Sequence, residues 1–134
     1  MTCFWITRQI DADFVLRNFE RMHGGDIFVP KKPSARDIDL AQVYSPSIPT
    51  EDSGIRSGKK LYEVICPTDD SVHTFEHHDH FVIAPSIKFY RDDLKYDETP
   101  LEKSATLVDA GFEYLPGSNS GFLSVEKIIE FGRG

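Results

Sequence analysis

The spacing of apolar residues along the chain predicts three short helices. The first is predicted over about residues 11–23, where the apolar side chains at helical spacing are Phe14, Val15, Phe19 and Met22. A second helix is predicted from Ser34 to about Tyr44 and a third from Ser124 to Glu130, because each serine can accept a hydrogen bond from the first turn. The first helix precedes two glycines, which readily adopt the left-handed conformation that ends a helix.

Two apolar runs have the length and the ending of strands. Residues 26–30 and 80–84 are rich in β-branched and aromatic side chains, and each run meets a proline. Residues 59–65 fit a helical and a strand period equally well, so that segment stays open. Charged residues and prolines over residues 86–119 predict an irregular wrap over the surface. The chain is therefore predicted to be one α+β domain spanning residues 1–134.

Composition and charge narrow the class of protein. The chain has 134 residues, of which 40% are hydrophobic and 28% are charged, as is typical of one folded domain. Its formal net charge of -7 has the wrong sign for binding a nucleic acid backbone. The apolar runs are far shorter than the roughly 20 residues that span a bilayer, and the first residues lack the basic start of a signal peptide. We therefore expect a cytoplasmic protein with no nucleic acid and no membrane partner. Cys3 and Cys66 form no CxxC pair, so both are predicted to be reduced thiols.

Four of the five histidines lie close together, within residues 73–80. His73 and His77 could ligate zinc from one face of a helix. However, the run leads into the strand at His80, where successive side chains point to opposite faces. We therefore predict a solvated loop with titrating histidines and no metal site. A small metal-binding module is the hypothesis ranked last.

The most informative local segment is the basic turn at residues 54–63. The planar guanidinium of Arg56 can grip a diphosphate, and Gly58 lets the backbone approach the same ligand. Lys59 and Lys60 add positive charge. These four residues are the candidate binding residues of the segment. The chain has neither a GxSxG nucleophile motif nor a GxGxxG dinucleotide motif, and no catalytic residue is predicted. The alternative for this segment is an ordinary solvent-exposed loop.

Five blocks of sequence, in order along the chain, resemble the C-terminal part of the inverting UDP-N-acetylglucosamine 4,6-dehydratases. The blocks are Met1–Thr7, Phe14–Met22, Gly25–Lys31, Gly54–Glu63 and Asp79–Ile83. These enzymes are extended short-chain dehydrogenase/reductases of polysaccharide biosynthesis that make the first intermediate toward pseudaminic acid, a sugar of flagella and surface polysaccharides. The resemblance implies the family's small substrate-binding lobe, which closes over the UDP end of the sugar nucleotide, without the Rossmann sheet.

The same resemblance implies that the catalytic parts of these lyases lie outside this chain. In the family, the Rossmann half carries the NADP site and a catalytic Tyr-x-x-x-Lys pair, and no tyrosine of this chain has a lysine four positions later. The chain is therefore expected to hold no cofactor and to be catalytically incomplete alone. Its own status as an enzyme stays open.

Two departures from the family's pattern fall in the nucleotide site. The family motif Arg-Pro-Gly-Glu-Lys is matched at Arg56, Gly58 and Lys60. Lys59 replaces the motif's glutamate, which in the family accepts hydrogen bonds from the ribose hydroxyls. Cys3 stands where the family has an arginine. We therefore expect binding of a UDP-sugar to be weak.

The resemblance leaves two functions for the chain. The first is the UDP-N-acetylglucosamine lobe of a 4,6-dehydratase in the biosynthesis of surface polysaccharides or flagellar glycans. The alternative is a non-enzymatic interaction protein that docks on an intact dehydratase or on a separate Rossmann half. An isolated lobe should expose an apolar face, so the expected protein partners are further copies of the chain or a Rossmann-half chain.

Overall fold

The computed structural model describes residues 1–60, 63–86 and 105–133. It has the predicted mixture of helices and strands, and all of them are short. In chain order the elements are β1 (Thr2–Phe4), α1 (Arg8–Asn18), β2 (Ile27–Pro30), β3 (Ser34–Arg36), α2 (Asp37–Tyr44), β4 (Thr74–Glu76), β5 (His80–Ile83), β6 (Thr106–Leu107) and α3 (Val125–Arg133). Two 3₁₀ segments, Thr68–His73 and Pro116–Ser118, add to these. No helix among the described residues is both long and apolar enough to cross a membrane.

The chain divides into two compact units, each with its own sheet and its own buried side chains. The first unit comprises Met1–Thr7, Lys32–Val64 and Tyr114–Gly134, and the second comprises Arg8–Lys31 and Ile65–Glu113.

The first unit is built on a two-stranded antiparallel sheet. Strand β1 pairs with β3, and Cys3 lies opposite Ala35. The backbone of Ser34 then bonds to the segment that precedes α3. Its N–H donates to the Gly121 carbonyl at 2.8 Å, and its carbonyl accepts from the Leu123 N–H at 2.8 Å. These bonds join three stretches that are far apart in sequence.

Two helices complete the first unit. Helix α2 packs against α3, whose Ile128 is fully buried. The Ser124 hydroxyl accepts a hydrogen bond from the Lys127 N–H at 3.4 Å, which confirms the predicted cap of this helix. Trp5 lies against Phe131 with their ring centroids 6.3 Å apart. Because α3 has 9 residues, too few for a stable helix in water, its stability comes from this packing.

A polar cluster joins the start of β3 to residues 114–119. The Tyr114 hydroxyl accepts from the Lys32 N–H at 2.8 Å and donates to the Lys32 carbonyl at 3.2 Å. The Asn119 amide donates to the same carbonyl at 2.7 Å and to the Ser34 hydroxyl at 3.0 Å. Since buried polar groups are costly without partners, these bonds hold the connection in one geometry.

The second unit is built on a four-stranded antiparallel sheet, with the order β2-β5-β4-β6 among the described strands. Strand β5 is central, and all four of its residues are buried. Phe81 packs against Phe112 on one face of the sheet, and His80 contacts Phe14 of α1 on the other. Strands β2 and β5 confirm the two strands predicted from the sequence.

Two predicted helices differ from the structure at their starts. Helix α1 begins at Arg8 and ends at Asn18, and a turn continues from it toward Gly24 and Gly25, which have φ angles of 106° and 81°. The prediction that Ser34 caps the second helix is wrong. Ser34 belongs to β3, and α2 follows it without a side-chain cap. Pairing with β1 overrides the local capping signal.

Two of the sequence predictions fall partly outside the described residues. Of the irregular wrap predicted over residues 86–119, residues 87–104 lie outside them. Of the segment 59–65, residues 61 and 62 lie outside them, and residues 63–65 form neither helix nor strand.

Candidate functional site

A groove in the first unit brings the basic turn beside the start of α2. Its volume is about 790 Å³. It is lined by Met1, Asp37, Ile38, Ala41, residues 50–56, Lys59 and Lys60. The Asp37 N–H donates to the Met1 carbonyl at 3.1 Å, which places the first residue of the chain against the start of α2. The groove is large enough for a small organic ligand.

Three of the four predicted binding residues line this groove, namely Arg56, Lys59 and Lys60. Gly58 does not line it but shapes the turn that carries them. The Lys59 N–H donates to the Arg56 carbonyl at 3.1 Å, and Gly58 has a φ angle of 80°. That conformation favours glycine, since a side chain there would be strained. That these four residues bind a ligand stays a prediction.

Replacing Gly58 with alanine should lower the free energy of unfolding by about 1–2 kcal/mol, or open the turn at a similar cost. A Cβ atom at this position would meet nothing within 4 Å, so the effect would come from the backbone alone. Urea denaturation of the variant measures it. Gly132→Ala is the matched control, because Gly132 lies inside α3 and alanine should stabilise that helix by about 0.5–1 kcal/mol. A loss of stability in the control and none at Gly58 would contradict this account.

The groove carries charges of both signs. The basic residues Arg56, Lys59 and Lys60 line the groove together with the acidic residues Asp37, Glu51 and Asp52. The Asp52 carboxylate accepts a hydrogen bond from the Gly54 N–H at 2.8 Å, so it also shapes the loop. Such a groove suits a ligand that joins an anionic group to hydroxyl donors, because each part then meets its complement.

Cys3 lies next to the groove and stays a neutral thiol. Its thiol donates to the Ala35 carbonyl at 3.7 Å. Partial burial and the carboxylate of Asp37 raise the pKa of Cys3 above that of an ordinary thiol. Cys3 and Cys66 are both free cysteines in the structure. Cys3 is therefore uncharged and does not offset the negative charge of Asp37 at the start of α2.

Sequence reasoning missed the wall of the groove that α2 provides. Asp37, Ile38 and Ala41 belong to a segment that was recognisable only as a helix. No local motif marks them as site residues, because their place follows from the pairing of β1 with β3. That pairing sets Met1 beside α2 although the two are far apart in sequence.

The histidine run is not the predicted solvated loop. It forms a tight hairpin between β4 and β5, in which the His77 N–H donates to the His80 carbonyl at 2.9 Å. The side chains of His77 and His80 are buried and their rings stack in parallel, with centroids 4.5 Å apart. His78, in the turn between them, is exposed. The hairpin turn places His77 and His80 on the same face of the sheet. In one continuous strand, residues three positions apart would point to opposite faces.

His80 is the centre of a buried polar cluster in the second unit. Its Nδ1 lies 2.6 Å from the Asp79 carboxylate. We therefore assign the ring proton to Nδ1, whose N–H donates a hydrogen bond to that carboxylate. The Arg21 guanidinium approaches the same ring at 3.5 Å and is itself buried. Burial, with the neighbouring His77 and Arg21, lowers the pKa of His80 despite the bond to Asp79. The buried imidazole is therefore neutral near pH 7.

Within the described part of the chain, no group of three or more histidine, cysteine, aspartate or glutamate side chains is placed to hold a metal ion. His73 and His77, the pair considered for zinc, lie on opposite ends of the β4 strand rather than on one helical face. The groove in the first unit is thus the candidate site that the structure offers.

The chain belongs to a known class of protein. A family model described as "Polysaccharide biosynthesis protein" matches residues 1–85, which is more than half of the chain. This chain therefore belongs to that family, as the sequence resemblance indicated.

Two curated relatives are similar to almost the whole chain. Both are named UDP-N-acetylglucosamine 4,6-dehydratase (inverting) and come from Campylobacter jejuni. The protein of serotype O:2 is 41% identical over 130 residues, and that of serotype O:23/36 is 38% identical over 130 residues. Each match covers 97% of this chain but 39% of the relative. The chain thus spans well under half the length of these relatives.

A solved structure supports the fold. The X-ray structure of Pen from Bacillus thuringiensis matches with a TM-score of 0.72 and 23% sequence identity. The match covers 99% of this chain and 39% of that chain. At this level of identity the likeness concerns the fold alone.

Proposed function

We propose that this chain is the sugar-nucleotide-binding part of a UDP-N-acetylglucosamine 4,6-dehydratase and binds the UDP end of the substrate in the groove of the first unit. The observation that carries the proposal is that Arg56, Lys59 and Lys60, on the turn that resembles the family motif, line one groove with α2. The similarity to two dehydratases supports the choice of ligand.

The chemistry of the groove divides the ligand between its two charged sides. The Arg56 guanidinium binds the diphosphate through paired N–H groups, and the two lysines add attraction without fixed geometry. Asp37 and Glu51 accept hydrogen bonds from hydroxyl groups, the role that the family's lost glutamate had at position 59. Because Asp37 also repels phosphate and Cys3 supplies no charge against it, binding is weak.

In this proposal, catalysis requires groups that this chain does not contain. The sequence has no dinucleotide-binding GxGxxG motif and no Tyr-x-x-x-Lys pair. In this proposal the NADP site and the catalytic groups of the lyase belong to the Rossmann half, in the cytoplasm, and the product leads toward pseudaminic acid. The chain is then a substrate-binding lobe that is silent alone.

Arg56→Ala should weaken binding of UDP and of UDP-N-acetylglucosamine by about 10–100-fold, since a hydrogen bond to a charged group contributes about 1.5–3 kcal/mol. Calorimetric titration of the purified chain measures both ligands. Arg133→Ala is the matched control, because this exposed arginine ends α3 and does not line the groove. Equal affinities for all three proteins, or no binding by any of them at millimolar ligand, would refute the nucleotide site.

A second function, a non-enzymatic interaction protein, is favoured by a different observation. Large apolar side chains along and just after α1 are exposed, among them Leu16 at 64% and Phe19 at 66%. Exposed apolar groups that lie together typically mark an interface. This function and the first share one requirement, which is a partner that covers α1.

A further inference from the structure

Helix α1 and the turn after it, residues 8–22, form what we call the α1 segment, which contacts the end of the β4–β5 hairpin. The Phe14 ring lies against His80 with centroids 5.9 Å apart, and Arg17 pairs with Asp79 at 3.5 Å. Helix α1 packs extensively against none of the other described helices and strands. Its attachment to the second unit therefore depends on the surroundings of Asp79 and His80.

The α1 segment brings a buried positive charge to His80. The Arg21 guanidinium is buried, donates to the Asn18 side-chain oxygen at 3.3 Å and lies 3.5 Å from Nδ1 of His80. Because that Nδ1 donates its own N–H to Asp79, the guanidinium and the ring meet as two donors. The contact is compatible with a neutral ring and unfavourable to a charged one.

His80 also has no acceptor for a second proton. Its Nε2 is buried and has no hydrogen-bond partner among the described residues. Protonation would place an N–H at this atom, and a buried donor without an acceptor is costly. The Asp79 carboxylate is bonded to the other ring nitrogen, the parallel ring of His77 lies 4.5 Å away, and β2 presents the uncharged ring of Phe28.

We propose that His80, with His77 and Arg21, is a pH-sensitive latch: protonation of His80 releases the α1 segment while the sheet stays paired. Release would let water reach both the charged ring and the guanidinium, which the packed segment excludes. The sheet has its own support, because β5 pairs with β2 and β4, and Phe81 packs against Phe112 on the opposite face. Weakly packed segments open at a lower free energy than central strands.

The charges around the latch set the direction of its response. Because burial, with His77 and Arg21 beside the ring, lowers the pKa of His80 in the packed state, the released state takes up the proton first, below about pH 6.5. The equilibrium for release should then rise by up to about tenfold per pH unit as the pH falls. The Asp79 carboxylate opposes this shift but does not reverse it.

One other histidine lies next to the α1 segment. His23 Nδ1 is 3.8 Å from the Asp26 carboxylate in the turn that follows the segment. A positive charge on His23 would strengthen this pair, so its protonation would not release α1. The latch therefore acts through His80, and it does not rest on the nucleotide groove of the first unit.

The test is hydrogen exchange of the purified chain between pH 7.5 and pH 5, read by mass spectrometry and corrected for the intrinsic pH dependence of amide exchange. Amides of α1 should be less protected than those of β5 at every pH. Below about pH 6.5 the protection of α1 should fall by up to about tenfold per pH unit, while β5 stays the more protected. Protection of α1 that is independent of pH, or equal to that of β5 throughout, would overturn the proposal.

Four variants identify the titrating group. His80→Gln keeps a donor for Asp79 and should abolish the pH response of α1, and His77→Gln should reduce it. His78→Gln, in the exposed turn of the same hairpin, and His23→Gln should leave it in place. An unchanged response in His80→Gln, or its loss in His23→Gln, would refute the latch. If His80→Gln does not fold, an unchanged response in His77→Gln refutes it instead.

Discussion

Ile128→Ala is expected to lower the free energy of unfolding of the first unit by about 2–5 kcal/mol, the usual cost of removing most of a buried aliphatic side chain. Ile128 is fully buried on α3, and α3 supports α2, which forms one wall of the groove. The loss of one side chain therefore weakens the support of the candidate site as well as the unit.

The measurement is urea denaturation followed by the fluorescence of Trp5, the single tryptophan of the chain. Trp5 contacts Phe131 of α3, so its emission reports the unit in which Ile128 lies. Ile129→Ala is the matched control, since the neighbouring side chain is 39% exposed and its removal should cost less than about 1.5 kcal/mol. Equal losses for the two variants would show that α3 is not anchored through Ile128.

Acidification from about pH 8 to pH 5 is expected to destabilise the second unit through His80. Because the pKa of His80 is lowered in the folded chain, the unfolded chain binds this proton first, below about pH 6.5. The contribution of neutral His80 to the free energy of unfolding is therefore fully present above that pH. It is lost as the pH falls toward the pKa of His80 in the folded chain. One proton taken up on unfolding gives a slope of up to about 1.4 kcal/mol per pH unit.

The groups around His80 explain why the folded chain resists this proton. Charge on His80 would face Arg21 from the α1 segment and the stacked ring of His77 across the hairpin, and the Phe28 ring of β2 offers no compensation. Asp79 is the neighbour that favours protonation, through its hydrogen bond to His80 and its negative charge. Burial, with Arg21 and His77 beside the ring, outweighs the effect of Asp79.

The pH dependence is measured by urea denaturation followed by circular dichroism at several pH values. His78→Gln is the matched control, because His78 is exposed in the same hairpin and should leave the slope unchanged. His80→Gln keeps a donor for Asp79 but removes the titration, so its slope should be smaller than that of the wild-type chain. An unchanged slope in His80→Gln would place the titrating group elsewhere.

A further loss of stability is expected at more acidic pH. Partial burial raises the pKa of Asp79, but its bond to His80 and the charges of His80, Arg21 and Arg17 lower it further, so the net shift is downward. A lowered carboxyl pKa stabilises the fold above about pH 3.8, and that contribution is lost as pH falls through the folded value. The two effects act in the same direction over different ranges.

Local sequence signals predicted the elements whose causes are local. Both strands were predictable from β-branched runs that end at proline, and the last helix from the serine that caps it. The predicted core face of the first helix was only partly right. Of its four apolar residues, Phe14 is buried while Val15, Phe19 and Met22 are exposed. Spacing shows that side chains share a face, but the packing partner decides which face turns inward.

Local sequence patterns gave wrong predictions where a contact with a distant segment competed with a local preference. Ser34 has the sequence surroundings of a helix cap, yet the edge of β1 and the Gly121–Leu123 backbone bind it as a strand. The histidine run has the polarity of a solvated loop, yet the hairpin buries His77 and His80. Neither outcome depends on residues near enough in sequence to be read from a pattern.

The sequence by itself determined the class of this protein, its mixture of short helices and strands, and the basic turn around Gly58, because each depends on residue type and on neighbours along the chain. Tertiary structure alone decided that α2 supplies the Asp37 carboxylate to that turn's groove, that the buried ring of His80 lies against Phe14 of α1, and that Leu16 and Phe19 are exposed. These are contacts between residues far apart in sequence, and their free energies arise only when the chain folds.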